Sequence, residues 1–348
     1  MARFGADLER ELETIRPPSF DMGDLHRRRR RRTTARRIEA GIVALGVAVV
    51  GTLVVVRALP SKTVPTVPPR PHAVSSFPVG ERPSGIAATD RSLWVGHRTL
   101  AEVWRVDPAT GGVQARIATG TGGPALVAAG GGRVWAVAPS PGGSTLYEID
   151  PASDAVVASH PVDAVVDAIA VGDGRVWIAS RTAGAVFVFT AEGLQLARVT
   201  VHGGPAALTL DRGGAWVAGG TDGRITRIAL PGYVAATEAR TNTRTTGLAR
   251  CAGRLWVATG DGDLVRVDLR TGRVRATHLG RYLTAVATDG RVVWAVDGAG
   301  GDATALDCAT GRVLGRVPAG REATGVVATP GGAWVVDSGA GVVNELST

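Results

Sequence analysis

Seven tryptophans recur at a nearly constant interval between residue 73 and the C-terminus, each in a short apolar segment such as RSLWVG, GRVWAV or GGAWVV. They are Trp94, Trp135, Trp177, Trp216, Trp256, Trp294 and Trp334. Their spacings are 41, 42, 39, 40, 38 and 40 residues. This period is typical of four-stranded propeller blades and is too short for a βαβ unit with its helix. The repeat therefore predicts an all-β fold, a seven-bladed β-propeller over residues 73–348.

Each repeat divides into four strands joined by tight turns. In the first repeat the strands are GIAATD (85–90), the Trp94 strand, VWRVD (103–107) and VQARIATG (113–120). The 48 glycines and only 2 methionines of the chain also favour short strands and turns over a helical bundle. Because each Trp lies in an alternating apolar strand, we expect these side chains to pack between blades.

The turn before the fourth strand has a recurring signature. Asp opens it and Gly closes it at 107–111, 268–272 and 307–311. Asp accepts hydrogen bonds from turn amides, and Gly adopts positive φ. We therefore interpret these aspartates as hairpin residues and not as catalytic groups.

The last repeat lacks its fourth strand. After Trp334 only 14 residues remain, enough for a third strand, GVVNEL, at 341–346. A matching fourth strand stands at the start of the domain, where 74–89 aligns with 314–329. We predict that residues 74–80 complete the blade of Trp334 through contacts of Val74, Phe77 and Val79. This exchange closes the ring and removes an open sheet edge.

With its W-V-x strands and D-P-x-T-G turns, the segment 73–348 resembles the YVTN-type bacterial β-propellers, a domain class also similar to the quinoprotein amine dehydrogenase β-chain. The resemblance implies a fold and not a reaction. The whole layout also resembles membrane proteins of GC-rich bacteria that accompany sigma-factor signalling.

An uncharged run of 17 residues, AGIVALGVAVVGTLVVV, occupies residues 40–56. As a helix it spans roughly 26 Å, close to the about 30 Å of a hydrocarbon core. The basic cluster before it, Arg27 to Arg32 with Arg36 and Arg37, predicts a cytoplasmic N-terminus. We therefore predict a single transmembrane helix at 38–57 that holds the propeller outside the cell membrane. A cleaved signal peptide is the rival interpretation, although 39 residues precede the run.

Two further segments flank this helix. We predict that residues 1–37 are an Arg-rich cytoplasmic tail, whose short amphipathic stretch is either frayed or docks on a cytosolic partner. Residues 58–72 are a Pro-rich linker, which predicts a stiff spacer. Of the net charge of +8, the propeller carries only +1, from 25 basic and 24 acidic residues. Since no aromatic residue interleaves the basic cluster, we expect no nucleic-acid partner.

Ligands of propellers usually bind on the face formed by the loops from strand four to the next strand one and from strand two to strand three. The predicted ligand-binding residues on this face are His97, Asp167, Arg244, Arg281, Asp297, Arg321 and Asp337. Ordinary solvated loop charge is the alternative interpretation.

The sequence indicates no catalytic residue, no metal site and no cofactor. The six histidines are scattered, and no H-x-x-x-H, H-E-x-x-H or carboxylate pair is present. Propeller lyases that open cyclic peptide lactones carry Glu after W-F-T, where this chain has Val-Gly-His, Val-Ala-Gly or Ala-Val-Asp. Eight-bladed quinoprotein dehydrogenases have a Trp after the turn, which is missing here.

The two cysteines, Cys251 and Cys308, fall in turns of neighbouring repeats on the opposite face. Pairing and free thiols both remain open at this point.

These observations favour a non-catalytic, membrane-anchored propeller that binds a protein or small molecule outside the cell, as an envelope sensor or scaffold. One alternative is an extracytoplasmic metal-dependent lyase or hydrolase. The other is a signalling membrane protein whose residues 1–37 contact a sigma-factor-type regulator.

Overall fold

The computed structural model describes residues 70–120, 122–241 and 243–348. These residues form 28 strands in seven four-stranded antiparallel sheets, as the repeat predicts. None of the described residues belongs to a helix long and apolar enough to cross a membrane. The predicted transmembrane helix (38–57), the predicted cytoplasmic tail (1–37) and most of the predicted linker (58–72) lie outside the described residues.

The strands follow one another in chain order, four to a blade. Blade 1 contains β2 (Pro83–Thr89), β3 (Ser92–His97), β4 (Glu102–Val106) and β5 (Val113–Ala118). Blade 2 contains β6 (Leu126–Gly130), β7 (Arg133–Ser140), β8 (Gly143–Asp150) and β9 (Ala155–Val162). Blade 3 contains β10 (Ala168–Gly172), β11 (Arg175–Ser180), β12 (Ala185–Thr190) and β13 (Gln195–Thr200). Blade 4 contains β14 (Pro205–Asp211), β15 (Gly214–Gly219), β16 (Arg224–Ala229) and β17 (Val234–Arg240).

The remaining blades keep this order until the last. Blade 5 contains β18 (Thr245–Cys251), β19 (Arg254–Thr259), β20 (Asp263–Asp268) and β21 (Val274–His278). Blade 6 contains β22 (Leu283–Thr288), β23 (Val292–Asp297), β24 (Asp302–Asp307) and β25 (Val313–Pro318). Blade 7 contains β26 (Ala323–Thr329), β27 (Gly332–Asp337), β28 (Val342–Ser347) and, as its outer strand, β1 (His72–Pro78). The first strands of blades 1 to 6 (β2, β6, β10, β14, β18 and β22) and β26 of blade 7 are the innermost strands and surround the central channel.

The ring closes as the sequence predicts. β1 pairs antiparallel with β28, from His72 opposite Ser347 to Pro78 opposite Val342. Phe77 stacks on Trp334 with ring centroids 5.9 Å apart. The prediction for Val74 is wrong: its side chain is 51% exposed, because the register between β1 and β28 shifts at this position.

The repeated tryptophans pack between blades. Each is at most 9% exposed. Trp94 of blade 1 shares a core cluster with Val134 and Ile149 of blade 2. Around the ring the pattern repeats until Trp334 of blade 7 packs with Leu93 and Val106 of blade 1. One type of interface therefore holds all seven blades together.

The Asp-to-Gly turns have the predicted hairpin role. In the first, the Asp107 carboxylate accepts a hydrogen bond from the Ala109 amide at 2.8 Å. Gly111 closes the turn with φ +71°, and a Cβ there would overlap the Phe77 ring of β1. In the Asp268 turn, hydrogen bonds from Thr271 hold the pKa of the carboxyl below its usual value.

Cys251 and Cys308 form a disulfide with their Cα atoms 6.2 Å apart. Cys251 ends β18 of blade 5, and Cys308 follows β24 of blade 6. The bond links adjacent blades on the face opposite the predicted binding face. Both residues are buried.

Candidate functional site

A cavity of about 580 Å³ opens at one end of the central channel. This volume falls within the range of about 300–1,000 Å³ that is usual for small-molecule sites. We call this end the channel mouth. It is defined by residues of all seven innermost strands or the loops before them, together with Arg98: Ser84, Arg98, Ala125, Val166, Asp167, Ala206, Thr246, Thr284 and Thr324.

A β-bulge recurs where five of the innermost strands reach the mouth. The pairing of the first with the second strand shifts register at this point in blades 1, 4, 5, 6 and 7. The residues at these bulges are Ser84, Ala206, Thr246, Thr284 and Thr324. A bulge leaves its extra residue without a cross-strand partner and turns its side chain to a new direction. Here the bulge residues all line the cavity.

Four of these residues carry hydroxyl groups that link consecutive blades. Thr246 Oγ1 of blade 5 donates to the Leu283 carbonyl of blade 6 at 2.6 Å. Thr284 Oγ1 of blade 6 donates to the Ala323 carbonyl of blade 7 at 2.8 Å. These two hydrogen bonds cross two successive blade interfaces from equivalent positions of the innermost strands.

The same chain crosses the point where the ring closes. Thr324 Oγ1 of blade 7 donates to the Ser84 carbonyl of blade 1 at 3.3 Å, across 240 residues of sequence. Ser84 Oγ in turn donates to the Ala125 carbonyl of blade 2 at 3.2 Å. We call Thr246, Thr284, Thr324 and Ser84 the hydroxyl arc.

The cavity wall has one basic and one acidic side chain among the described residues. Arg98, in the turn after β3, donates to Ser84 Oγ at 3.4 Å. Asp167 enters from the loop before β10, and its carboxylate accepts the Arg181 amide at 2.7 Å. The Arg181 guanidinium lies 3.2 Å from the other oxygen of Asp167. The charge of Asp167 is therefore compensated within its own blade.

Of the seven residues predicted to bind a ligand, only Asp167 lines the cavity. His97 is fully buried at the end of β3, with Nε2 bonded to the Val79 carbonyl at 2.6 Å. Its ring lies 4.7 Å from that of Trp104, and burial lowers the pKa of the imidazole. His97 thus has a structural contact and does not reach the cavity.

Asp297 is also buried, at the end of β23. One carboxylate oxygen accepts the Arg281 amide at 2.9 Å. The other accepts the amides of Tyr282 at 3.1 Å, Ala299 at 3.2 Å and Gly300 at 2.9 Å. Burial alone would raise the pKa of this carboxyl, but the amide hydrogen bonds outweigh it and hold the pKa below the usual value. The side chain therefore fastens two loops together.

Asp337 has the same role in blade 7. Its Oδ1 accepts the amides of Glu322 at 3.3 Å, Gly339 at 3.1 Å and Ala340 at 3.2 Å. A Cβ at Gly320 would overlap this carboxylate, so the loop before β26 needs glycine there. Neither Asp297 nor Asp337 is among the cavity-lining residues.

The three predicted arginines, Arg244, Arg281 and Arg321, are exposed in the loops before the innermost strands of blades 5, 6 and 7. In the described part of the chain none of them forms a salt bridge. They add positive charge to the rim outside the cavity.

The hydroxyl arc is not among the predicted ligand-binding residues, all of which have charged or titratable side chains. Its signal was a hydroxyl residue before a small one, in Ser84-Gly85, Thr246-Gly247, Thr284-Ala285 and Thr324-Gly325. Among the described residues no group of three or more potential metal ligands lies together. The chemistry present at the mouth is hydrogen bonding and ion pairing, which suit recognition of a polar ligand.

Solved structures with the same architecture include proteins of several kinds. A streptogramin B lyase matches with TM-score 0.67 and 14% identity over 78% of this chain and 96% of that one. Hydrazine synthase of Kuenenia stuttgartiensis matches with TM-score 0.67 and 13% identity, covering 77% and 96%. BamB from Moraxella catarrhalis matches with TM-score 0.59 and 15% identity, covering 79% and 99%. Similarity at this level of identity shows the propeller fold alone.

No protein-family model matches the sequence. No curated protein matches it either.

Proposed function

We propose that this protein is a non-catalytic binding module anchored in the cell membrane, whose extracytoplasmic propeller holds a small ligand at the channel mouth. The observation that carries the proposal is the hydroxyl arc. Four blades turn a hydroxyl residue into one cavity of about 580 Å³ through the same β-bulge. Bulges of this kind are found next to functional sites, where they redirect a side chain.

The disulfide supports an extracytoplasmic location. Disulfide bonds persist in oxidising compartments and are rare in the cytosol, where thiols are kept reduced. The Cys251–Cys308 bond joins two blades of the propeller. It agrees with the orientation that the basic cluster before residues 40–56 predicts.

We prefer binding to catalysis because the acidic side chain of the cavity wall is already paired with an arginine. A lyase needs a base free to take a proton from its substrate. Asp167 is the carboxylate of the cavity wall, and both of its oxygens bind Arg181. The YVTN resemblance likewise implies a fold without a fixed reaction.

Ligand binding can be tested with the full-length protein in a mild detergent. A screen of small polar compounds is followed by hydrogen exchange with mass spectrometry on the bound complexes. We expect bound compounds to slow exchange in the segments around Ser84, Thr246, Thr284 and Thr324. The substitution Thr284→Phe should fill the cavity and abolish binding, whereas Thr237→Phe on the exposed outer strand β17 should not.

Binding that Thr284→Phe leaves unchanged would show that the mouth is not the site. Compounds that bind and are also converted to products would show an enzyme instead. Reporter fusions test the topology separately and should place residue 30 inside the cell and residue 348 outside.

A further inference from the structure

We propose that the channel mouth selects a polyol that carries one anionic group, either a carboxylate or a phosphate. This inference rests on the proposed function and specifies the ligand class. It follows from three properties of the cavity wall, namely its one uncompensated charge, the hydrogen-bonding state of the hydroxyl arc and the mainly apolar opposite wall.

The uncompensated charge is that of Arg98. Its guanidinium contacts Ser84 Oγ at 3.4 Å, and no carboxylate of the described residues lies within salt-bridge distance of it. Asp167, the acidic residue of the wall, is paired with Arg181 at 3.2 Å. The cavity is therefore positive at Arg98 and close to neutral elsewhere. A guanidinium binds carboxylate and phosphate oxygens through charge-assisted hydrogen bonds.

The hydroxyl arc is set to accept hydrogen bonds from a ligand. Each of its four hydroxyl protons is already donated to a backbone carbonyl, at 2.6 to 3.3 Å. A hydroxyl oxygen has two lone pairs besides its proton, so the arc keeps acceptor capacity towards the cavity. The matching ligand groups are donors, either hydroxyl or ammonium.

Charge favours hydroxyl over ammonium donors. An ammonium group at the arc would be repelled by the positive charge of Arg98. Arg244, Arg281 and Arg321 on the rim would add to this repulsion. Ligand hydroxyls carry no such penalty. Ser84 connects the two parts of the site, since it belongs to the arc and contacts Arg98. One ligand can thus place its anionic group at Arg98 and its hydroxyls along the arc.

The wall across the channel is mainly apolar. Ala125 and Ala206 occupy the positions of blades 2 and 4 where the hydroxyl residues lie in the other blades, and Val166 lines the cavity in blade 3. Asp167 occupies the equivalent position of blade 3, and its charge is compensated by Arg181. A mainly apolar wall opposite a row of acceptors fits a molecule with a C–H face and an O–H edge, such as an acidic sugar.

The test compares three probes by isothermal titration calorimetry with the full-length protein in detergent. They are glucose, glucuronate and glucose 6-phosphate, which share a sugar ring and differ in the anionic group. We expect at least one anionic probe to bind about tenfold or more tightly than glucose, since one charge-assisted hydrogen bond is worth this much. The two anionic probes distinguish a carboxylate ligand from a phosphate ligand. Added salt should reduce the difference.

Variants connect the preference to the residues. Arg98→Gln should reduce the affinity for the anionic probes to that for glucose, and Thr324→Val should weaken all three probes. Arg270→Gln is the matched control, because Arg270 is exposed in the turn after β20 on the opposite face. Circular dichroism melting of each variant checks that the propeller is folded.

Equal binding of all three probes would overturn the inference, as would a preference that survives Arg98→Gln or no binding of any probe. If other compounds still protect the mouth in the hydrogen-exchange screen, the proposed function stands while this inference fails. If nothing binds at the mouth in either experiment, both fail.

Discussion

His97 Nε2 donates a hydrogen bond of 2.6 Å to the carbonyl of Val79, in the segment that leads from the outer strand of blade 7 into blade 1. The amide of Val79 donates to the Gly341 carbonyl of blade 7 at 2.9 Å. Val79 is therefore held by blade 7 through its amide and by blade 1 through its carbonyl. Both side chains are fully buried. This contact joins the two blades where the ring closes.

Protonation of His97 should weaken the propeller at mildly acidic pH. Burial lowers the pKa of the imidazole most strongly, and it outweighs the Val79 carbonyl and nearby Glu102, which raise the pKa, while Arg116 lowers it further. The unfolded chain, with a His pKa of about 6.5, then binds the proton first as pH falls. The contribution to stability is complete above about pH 6.5 and is lost below it, by up to about 1.4 kcal/mol per pH unit.

Urea unfolding between pH 7.5 and 5 measures this effect. The variant His97→Gln keeps a buried amide donor and cannot titrate, so its free energy of unfolding should change less over the same range. Parallel pH profiles for the two proteins would exclude His97 as the cause.

Deletion of the closing strand should destabilise the fold far more than deletion of the linker. Removal of residues 73–80 takes away the β1–β28 ladder, the packing of the partly buried Phe77 on Trp334 and the buried side chain of Val79. Full burial of such a side chain contributes about 1.5–3 kcal/mol, out of roughly 5–15 kcal/mol for a domain, and Phe77 contributes less than its full value. We expect a large fall in melting temperature for this deletion and almost none for deletion of residues 60–70. Equal melting temperatures would mean that β1 does not hold the ring closed.

Closure of the ring could be predicted because the last repeat of the sequence is one strand short. The last repeat ends 14 residues after Trp334, and a matching segment stands before the first repeat. Blade number and the packing role of the tryptophans follow from the same periodicity. The exposure of Val74 was not predictable, because it depends on a register shift within one ladder.

The sequence predicts less of the cavity wall than of the fold. Of the predicted ligand-binding residues, Asp297 and Asp337 accept hydrogen bonds from loop amides. The Gly-rich segments after them, Gly298 to Gly300 and Ser338 to Gly339, are typical of turns in which Asp accepts amides. The bulges that build the hydroxyl arc add one residue to a strand, and an alternating pattern does not reveal such an insertion.

Asp297→Ala should destabilise the propeller strongly. It leaves four backbone amides without their acceptor, in two loops of blade 6. A hydrogen bond to a charged group contributes about 1.5–3 kcal/mol, and water replaces part of this at the surface, so we expect a loss of about 2–4 kcal/mol. Chemical denaturation measures it. The control is Asp261→Asn, at an exposed position, which should have little effect.

The pKa of Asp297 adds an acid dependence at lower pH than that of His97. Because the pKa is lower in the folded protein, its contribution is present above the ordinary Asp value and is lost as pH falls below it. Between pH 4 and 2 the wild-type protein should therefore lose more stability than the Asp297→Ala variant. A steeper loss in the variant would contradict the assignment.

Removal of the disulfide should lower stability by about 2–4 kcal/mol, since the bond constrains a long segment of the unfolded chain. The two cysteines are 57 residues apart in sequence. Cys251 lies five residues before Trp256, at the position where Thr89 of blade 1 and Asp211 of blade 4 accept a hydrogen bond from the indole N–H of the blade's Trp. Cysteine does not provide this acceptor, and Trp256 Nε1 has no hydrogen-bond partner in the described residues. The double variant Cys251→Ser and Cys308→Ser, compared with wild type with and without reductant, measures the effect. A reductant that destabilises the double variant equally would rule out the bond as the source.

The hydroxyl arc should contribute to stability as well as to binding. Thr284→Val keeps the shape of the side chain and removes the 2.8 Å hydrogen bond to Ala323 across the interface of blades 6 and 7. Thr246→Val does the same between blades 5 and 6. Each should cost about 1 kcal/mol, because the carbonyl at the channel mouth can bind water instead. Thr277→Val, on the exposed outer strand β21, is the matched control and should be neutral.

Thr246→Val and Thr284→Val act on adjacent blade interfaces. The double variant should therefore lose about the sum of the two single effects unless the blades are coupled through the arc. A double-variant loss that exceeds the sum would show such coupling, and losses no larger than that of the control would contradict a contribution of the arc to stability.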